Sequence, residues 1–234
     1  MMKIHYFGHD AFLLEEKGQS VLIDPFLSGN PNAKVKPSEL SPKVILVTHG
    51  HGDHLGDAID ISKHSGAPIL GVFELANYCA GKGAKTIGAH MGGTIKFDFG
   101  WVKLVPAWHS SSSPEGNYLG NPCGFVVHMG DTTVYHTGDT CLFGDMALIA
   151  EMTPIDVLLC PIGDHFTMGI RDAAKAVELV KPSLVIPMHY NTFEPIRQDP
   201  KVFRETVGKR HPAAQVLILE PGAVHEMVQV AKVS

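Results

Sequence analysis

The sequence has no long uninterrupted run of apolar residues. Its first residues, MMKIHY, lack the apolar core of a secretory signal peptide. No segment reaches the ~18 consecutive apolar residues that a membrane-spanning helix needs. These absences argue against export and against a membrane span, so we expect a cytoplasmic protein with no membrane partner.

Paired cysteines and excess positive charge are also missing. The cysteines show no C-x-x-C spacing and lie mostly among apolar residues, which predicts reduced thiols in the core of a cytosolic protein (Cys79, Cys123, Cys141 and Cys160). The 19 Lys and Arg residues and 24 Asp and Glu residues give a net charge of −5, which argues against charge-driven binding to nucleic acid. We expect a small-molecule substrate, and the sequence is compatible with a homo-oligomer without indicating one.

Length and composition are those of one globular domain. The 234 residues are 44% hydrophobic and 18% charged, with no internal repeat, low-complexity tract or linker, so we predict a single domain over residues 1–234. Apolar runs bounded by Gly and Pro predict strands at 3–7, 11–15, 20–23, 43–47, 68–72, 85–87, 94–99, 101–107, 123–129, 132–136, 155–160, 184–187, 215–219 and 223–230. Segments of helical period predict helices at 56–65, 73–80, 142–152, 169–180 and 199–211. Alternating strands and helices predict an α/β (α+β) fold with helices packed on a sheet.

The segment 48–57, THGHGDHLGD, places three histidines and two aspartates directly after a predicted buried strand. His49 and His51 are two residues apart and can turn their imidazoles toward one cation, while Asp53 and His54 can face a second cation. A cluster of imidazoles at this spacing has no obvious use without a metal. The glycines between them allow tight turns beside the ligands.

Other polar residues occur where predicted strands end. His109 follows the strand of the predicted hairpin, and we predict that it joins the first pair of histidines. Asp24 ends the third strand, where an aspartate either supports a metal-bound histidine or simply begins a turn. His9, between the first two strands, either caps that turn or supports the site.

The segment 110–122, SSSSPEGNYLGNP, is the least regular part of the sequence and is predicted to be a loop. A loop that follows a ligand is well placed for substrate contacts, for which Asn117 and Tyr118 are the candidates. The alternative is a plain connector. Because the segment has no Lys or Arg, we expect any substrate that it holds to be neutral or singly anionic.

The array His49-x-His51-x-Asp53-His54 resembles the signature of the metallo-β-lactamase superfamily, and the resemblance covers nearly the whole chain. Within the superfamily, the sequence looks most like the metal-dependent hydrolases related to ascorbate-6-phosphate lactonases. The resemblance implies a four-layer αββα sandwich with two metal ions at one edge of its sheets. It implies three ligands for one ion, three for the other and a bridging aspartate (His49, His51 and His109; Asp53, His54 and His189; Asp139). Related sequences also have Asp at the position of Asp24, which implies a supporting role there.

The expected activity is hydrolysis of a small ester, lactone or phosphodiester. Water between two divalent cations loses a proton near neutral pH and supplies a hydroxide nucleophile. Imidazole-rich ligand sets favour Zn²⁺, with Mn²⁺ or Fe²⁺ as alternatives. We expect Asp53 to orient the nucleophile, and His165 either to protonate the leaving group or to position the substrate.

Four other functions share the fold that the resemblance implies. Acidic charge and the absence of a basic arm disfavour an RNA- or DNA-processing phosphodiesterase. A mononuclear-iron persulfide dioxygenase would contain one iron per site. A flavodiiron oxygen reductase would have a carboxylate in place of His51 and would need a flavin domain. A member that only binds metal is disfavoured because the whole ligand set is present.

Overall fold

The computed structural model describes residues 1–227. The strands in this range are β1 (Lys3–Gly8), β2 (Ala11–Glu16), β3 (Gln19–Ile23), β4 (Val44–Leu46), β5 (Ile69–Val72), β6 (Thr86–Ala89), β7 (Thr94–Phe97), β8 (Gly100–Pro106), β9 (Cys123–Met129), β10 (Thr132–His136), β11 (Val157–Pro161), β12 (Leu184–Met188), β13 (Gln215–Val216) and β14 (Val224–Glu226). The α-helices are α1 (Gly52–Leu55), α2 (Ala58–Ser65), α3 (Phe73–Gly81), α4 (Met146–Met152), α5 (Ile170–Val180) and α6 (Pro200–Arg210). Short 3₁₀ turns occupy Pro37–Glu39 and Glu194–Ile196. Over the described range, no helix is both long enough and apolar enough to cross a membrane.

The strands form two seven-stranded sheets. The first has the spatial order β14-β1-β2-β3-β4-β5-β6, and the second has the order β13-β12-β11-β10-β9-β8-β7. In the first sheet three antiparallel pairings are followed by three parallel ones. The second sheet repeats this arrangement from β7 to β13. Both sheets are therefore mixed.

One apolar core lies between the two sheets. Phe12 and Ile45 of the first sheet and Phe125 and Leu159 of the second are fully buried in it. Because side chains alternate along a strand, Leu158 faces the other way and packs in a second cluster with α4, α5 and α6. Helices α2 and α3 pack on the first sheet through β5 and β6. The layers are helix, sheet, sheet and helix, which confirms the predicted αββα sandwich.

Some elements differ in extent from their predictions. The helix predicted at 56–65 begins only at Ala58, because the separate short helix α1 ends just before Gly56. Gly56 has a φ of 41°, and a Cβ there would collide with the carbonyl oxygen of Pro25, so only glycine fits. The helix predicted at 142–152 begins only at Met146, since Gly144 has a low helix propensity and lies in the preceding turn.

Within residues 1–227, the last two predicted strands are shorter than expected. The strand predicted at 215–219 is limited to β13, and the one predicted at 223–230 is represented by β14. Residues 228–230 of that prediction lie outside the described residues.

The sheets place the polar strand ends at one edge. In the first sheet, Asp24 and Thr48 follow the parallel strands β3 and β4, and Asp24 N donates to the Leu46 carbonyl at 2.9 Å. In the second sheet, residues 137–139 follow β10 and His189 follows β12. Two backbone hydrogen bonds join the sheets there, from Cys123 N to Thr48 O at 3.0 Å and from His189 N to His9 O at 3.2 Å.

Candidate metal centre

Three histidines form the first group of side chains that could hold a metal ion. His49, His51 and His109 each offer one ring nitrogen, and these atoms all lie within 4.8 Å of one another. His49 Nε2 and His51 Nδ1 are only 2.9 Å apart. The structure therefore brings together the three imidazoles that the sequence predicted for one cation, although His109 is 55 residues or more from the other two.

The second group combines Asp53, His54 and His189 with His9, again with ligand atoms within 4.8 Å of one another. The short helix α1 carries both Asp53 and His54. His54 and His189 are buried, whereas the side chain of Asp53 is 31% exposed. Asp53 is thus the acceptor through which this group reaches solvent.

Asp139 lies between the two groups. Its Oδ2 is 3.0 Å from His189 Nε2, 3.3 Å from His54 Nε2 and 3.5 Å from His109 Nε2. It therefore contacts two members of the second group and one member of the first. A carboxylate in this position can offset the repulsion between two cations.

Buried polar atoms without partners indicate that the site fits metal ions. His54 Nε2 and Asp139 Oδ1 are both inaccessible and have no hydrogen-bond partner. Leaving such groups unsatisfied costs about 1–3 kcal/mol each, more for charged groups. Imidazole nitrogens and carboxylate oxygens are the ligands that Zn²⁺ and Mn²⁺ accept. The donor set and its unpartnered atoms therefore fit divalent transition metals.

Asp24 fixes the orientation of two candidate ligands. Its carboxylate accepts hydrogen bonds from Thr48 N at 2.8 Å, from Thr48 Oγ1 at 2.6 Å and from His54 Nδ1 at 2.8 Å. Because a carboxylate only accepts, His54 carries a proton on Nδ1. Thr48 Oγ1 is also 3.0 Å from His49 Nδ1 and can accept a hydrogen bond from the N–H group there. Both imidazoles then turn Nε2 toward the centre, as metal-binding histidines do.

His9 supports Asp53 rather than only closing a turn. Its Nε2 is 3.2 Å from Asp53 Oδ2, and its Nδ1 is 2.9 Å from Thr192 Oγ1. Burial lowers the pKa of His9 to about 4 against the opposing hydrogen bond to Asp53, so the ring is neutral. The neutral ring donates through Nε2 to Asp53 and accepts from Thr192 through Nδ1.

Asp10 is a buried carboxylate that the sequence did not single out. It is fully buried, neither oxygen has a hydrogen-bond partner, and Oδ2 is 3.8 Å from His54 Nδ1. It also forms a group with Asp139 and His189 whose ligand atoms lie within 4.8 Å of one another. Burial raises the pKa of Asp10 well above its ordinary value. Its only sequence signal was its place beside His9 in a polar turn between apolar strands.

Protons balance the charge of Asp139 in the metal-free site. Burial lowers the pKa of His49 well below its ordinary value, which leaves that imidazole neutral. Burial also lowers the pKa of His54 and of His189, but nearby carboxylates together outweigh it, namely Asp139 with Asp24 for His54 and Asp139 with Asp10 for His189. The pKa of His54 is therefore raised well above its ordinary value, and that of His189 is raised to about 9. Burial would raise the pKa of Asp139, but His189 and His54 hold it well below its usual range. A bound dication would replace these protons.

Three of the seven non-glycine residues with positive φ in the described range lie at the site. His9, Asp24 and His189 have φ values of 56°, 42° and 54°. Non-glycine residues rarely adopt this region, at a cost of order 1–3 kcal/mol each when surrounding structure enforces it. Here that structure is the network of hydrogen bonds just described. Strain at residues that contact candidate ligands is typical of functional sites.

The loop 110–122 is better fixed than its composition suggested. Ser111 Oγ accepts a hydrogen bond from Gly50 N at 3.1 Å, which attaches the loop to the turn that carries His49 and His51. Leu119 is buried in the apolar core between the sheets. The segment is a loop, as predicted, and tertiary contacts rather than secondary structure fix its position.

The side chains of the candidate substrate contacts have local partners. Asn117 N and Nδ2 donate to Ser113 Oγ at 3.2 and 3.4 Å, and Tyr118 donates to Asn121 Oδ1 at 2.7 Å. Asn117 therefore turns its amide onto its own loop, while the Tyr118 ring is exposed. His165 is also exposed and contacts the Phe166 ring edge-on, with ring centroids 4.5 Å apart. The substrate-binding and catalytic roles of these three residues stay predictions.

Comparison with known proteins identifies the family. A family model described as a β-lactamase superfamily domain matches residues 3–189, most of the chain. The chain belongs to this superfamily. Within it, the chain belongs to the UPF0173 metal-dependent hydrolases, as the sequence resemblance indicated.

Two relatives show how closely this group matches. The chain is 53% identical to the UPF0173 metal-dependent hydrolase of Carboxydothermus hydrogenoformans, over 94% of this chain and 98% of that protein. It is 54% identical to one from Thermococcus kodakarensis, over 97% of this chain and 100% of that protein. Among solved structures, Igni18, a metallo hydrolase from Ignicoccus hospitalis, is similar with a TM-score of 0.88 and 38% identity, covering 97% of this chain and 99% of that one. These similarities extend over both sheets of this superfamily member.

Proposed function

We propose that this chain is a dinuclear hydrolase that uses Zn²⁺ or Mn²⁺ to cleave a small ester, lactone or phosphodiester. One cation is held by His49, His51 and His109. The other is held by a second set, with a bridging carboxylate between them (Asp53, His54 and His189; Asp139). The UPF0173 relatives carry the name of metal-dependent hydrolases, which supports the reaction class.

The observation that carries the proposal is the position of Asp139 between two groups of ligand atoms. Its Oδ2 contacts His54, His109 and His189 at 3.0–3.5 Å, while its Oδ1 is buried without a partner. A single cation in either group would leave the other group of buried or half-buried imidazoles without a purpose. Two cations account for both groups and for the unpartnered oxygen.

The chain's own residues divide the remaining work. When bound, the two cations would supply Lewis acidity and lower the pKa of a water molecule in the site. Asp53 is held by His9 and, through this hydrogen bond and the nearby His54, its pKa lies well below its usual value despite burial. An ionised, partly exposed acceptor at this point orients an attacking water by hydrogen bonding.

A proton for the leaving group would come from the turn at 164–168. Met168 N donates to the Thr140 carbonyl at 3.0 Å, which places this turn beside the segment that carries Asp139. His165 is the imidazole on that turn, and we propose it as the proton donor or as a residue that positions substrate. A His165→Asn variant distinguishes these roles, because loss of a proton donor lowers kcat most for esters with poor leaving groups.

Metal analysis followed by a substrate panel tests the proposed function. We expect close to two Zn²⁺ or Mn²⁺ ions per chain, and hydrolysis of chromogenic esters, lactones or phosphodiesters that a chelator abolishes and added metal restores. One iron per chain, with oxygen uptake on a persulfide, would instead identify a dioxygenase. Two metals with no hydrolysis of any of these substrates would contradict the substrate class.

We further propose that residues 1–234 act as one domain in the cytoplasm. The two sheets share one apolar core, which supports a single folding unit. The four cysteines are free thiols in the structure, which supports a reducing compartment.

A further inference from the structure

Two phenylalanines form an apolar wall beside the second ligand group. The Phe193 ring centroid lies 5.5 Å from that of His9, and the Phe26 centroid lies 5.8 Å from it. The two phenylalanine rings are 6.4 Å apart. His9 hydrogen bonds to Asp53, and Phe193 is 40% exposed. An open aromatic surface therefore lies next to the acceptor that faces solvent.

Two further aromatic residues are exposed near Asp139. Trp108 is 65% exposed and Phe166 is 53% exposed. Trp108 N donates to Thr140 Oγ1 at 3.0 Å, and Met168, two residues after Phe166, donates to the Thr140 carbonyl at 3.0 Å. Both aromatic segments are thus attached to the residue that follows Asp139. Exposed large aromatic side chains are costly to leave in water and mark binding surfaces when they cluster.

The segments that supply the predicted ligands and the aromatic residues contain no Lys or Arg. Lys and Arg are absent from all five segments that supply the ligand groups and the aromatic residues, namely 24–33, 48–62, 107–122, 137–170 and 188–196. The next basic residue after the last segment, Arg197, is paired with Glu194 through Nε and Oε2 at 3.2 Å. Phosphate groups are normally bound by Arg or Lys, often with two parallel hydrogen bonds. A phosphodiester or a nucleic acid would find no such partner in these five segments.

We propose that the mouth of the site selects a neutral carbonyl substrate with an apolar or aromatic group, such as an alkyl or aryl ester or a lactone. This inference rests on the proposed hydrolase function and narrows its substrate class. Phe26 and Phe193 cover the apolar group on one side, and Trp108 and Phe166 cover it on the other side of the ligand groups. Burying roughly 100 Å² of apolar surface favours binding by up to nearly two orders of magnitude, and the ordering of the substrate reduces this gain.

Ester hydrolysis with one leaving group and three acyl groups tests the selectivity. Metal-loaded protein is assayed with p-nitrophenyl acetate, phenylacetate and hemisuccinate, and each kcat/KM is divided by the rate constant for hydroxide. We expect the normalised kcat/KM of the phenylacetate ester to exceed that of the acetate ester by about tenfold or more. The value for the hemisuccinate ester should fall below that for the acetate ester. Phe193→Ala and Trp108→Ala should each reduce the first ratio at least threefold, mainly through KM, while metal content stays unchanged.

Phe99→Ala is the matched control. Phe99 precedes the start of β8, whereas His109 follows the end of that strand, so it lies at the far end of the sheet from the site. It stacks on Phe97 with ring centroids 4.9 Å apart. This variant loses an aromatic side chain of the same size and should keep the phenylacetate to acetate ratio of the parent.

A binding measurement separates the inference from hydrolysis. Neutral p-nitrobenzyl alcohol should quench tryptophan fluorescence saturably in the metal-loaded parent but not in Trp108→Ala. Unchanged ratios in both variants, or preference for bis(p-nitrophenyl) phosphate over every ester, would overturn the inference and leave the hydrolase proposal intact. Saturable quenching with no hydrolysis of any ester or lactone would support the aromatic mouth and contradict the proposed function.

Discussion

Replacing Asp24 with asparagine should weaken metal binding without removing any candidate ligand. Asp24 is fully buried and accepts three hydrogen bonds, two from Thr48 and one from His54. Asparagine has the same shape, but only one of its two terminal groups can accept. Its oxygen can keep the bond to Thr48 N, and its NH₂ group then faces Thr48 Oγ1 and His54 Nδ1.

The amide reverses the proton position on His54. Facing an N–H donor, His54 Nδ1 must accept, so a neutral imidazole carries its proton on Nε2. Nε2 is the atom that lies 3.3 Å from Asp139 Oδ2 at the centre of the site. A protonated Nε2 has no lone pair for a metal ion. The variant therefore stabilises the wrong tautomer of a residue that it does not remove.

Two effects contribute to the loss of stability that we expect for Asp24→Asn. A hydrogen bond to a charged group contributes about 1.5–3 kcal/mol and a neutral one about 1, so the metal-free protein should lose about 2 kcal/mol of stability. Loss of a carboxylate behind a metal-binding histidine typically weakens binding 10–100-fold. At a metal concentration 100 times the parent Kd, a 100-fold weaker site loses roughly 2.3 kcal/mol of the stabilisation that ligand binding provides. The metal-loaded variant should therefore lose about 4 kcal/mol.

Urea unfolding with excess Zn²⁺ and with chelator measures both losses. Asp57→Asn is the matched control, because Asp57 also accepts three hydrogen bonds, from Leu27 N, Ser28 N and Ser28 Oγ at 2.6–3.0 Å, and contacts no candidate ligand through its side chain. The Asp57→Asn variant should lose the same free energy of unfolding with excess Zn²⁺ as with chelator. An equal loss in both conditions for Asp24→Asn would show that Asp24 stabilises the fold alone and would refute the tautomer argument.

Three further outcomes are expected. Asp139→Asn should keep the fold but hold fewer than two metal ions per chain by elemental analysis, because an amide does not offset the repulsion between two cations; full loading with unchanged activity would rule out the bridging role. Because the pKa of His189 without a bound cation is raised to about 9 and that of His54 well above its ordinary value, a cation in the second group must displace protons, so calorimetric affinity should rise at least about tenfold per pH unit between pH 7 and 8.5; a flat profile over this range would exclude this proton exchange. Only Cys141 should react rapidly with Ellman's reagent in the folded protein, since burial raises the pKa of the Cys79 and Cys160 thiols to about 12 and that of Cys123 well above its ordinary value; more than one fast thiol per chain would contradict the described packing.

The fold was largely predictable because strong local patterns agree with tertiary packing. Every residue of the apolar strands β4 and β11 is buried. The helical period of the apolar residues in α5 places Ala173, Ala174 and Val177 in the core. The ligand groups were predictable because their imidazoles and carboxylates occur where strands end, in the pattern of the family signature. The edge of a sheet then brings distant strand ends together.

The features that the sequence did not predict depend on contacts between residues that are distant in the chain. The four residues of α1 are too few to show a helical period, so the segment looked like a plain turn. Asp10 had no predicted role, yet it is fully buried at the edge where His189 N donates to His9 O. The role of Phe193 required its contact with His9, 184 positions earlier in the sequence. None of these contacts has a local signal.

The division of the sheets along the chain has a consequence for assembly. Strands β1 to β6 belong to the first sheet and β7 to β13 to the second, with the change of sheet near Gly92 and Gly93. Each proposed ion draws on both sides of this point, since one group needs His109 and the other needs His189. Two polypeptides divided there would each hold an incomplete coordination sphere, so neither could retain its metals alone. The cations would then act as reversible cross-links between the halves, and their supply would control how much of the split protein assembles.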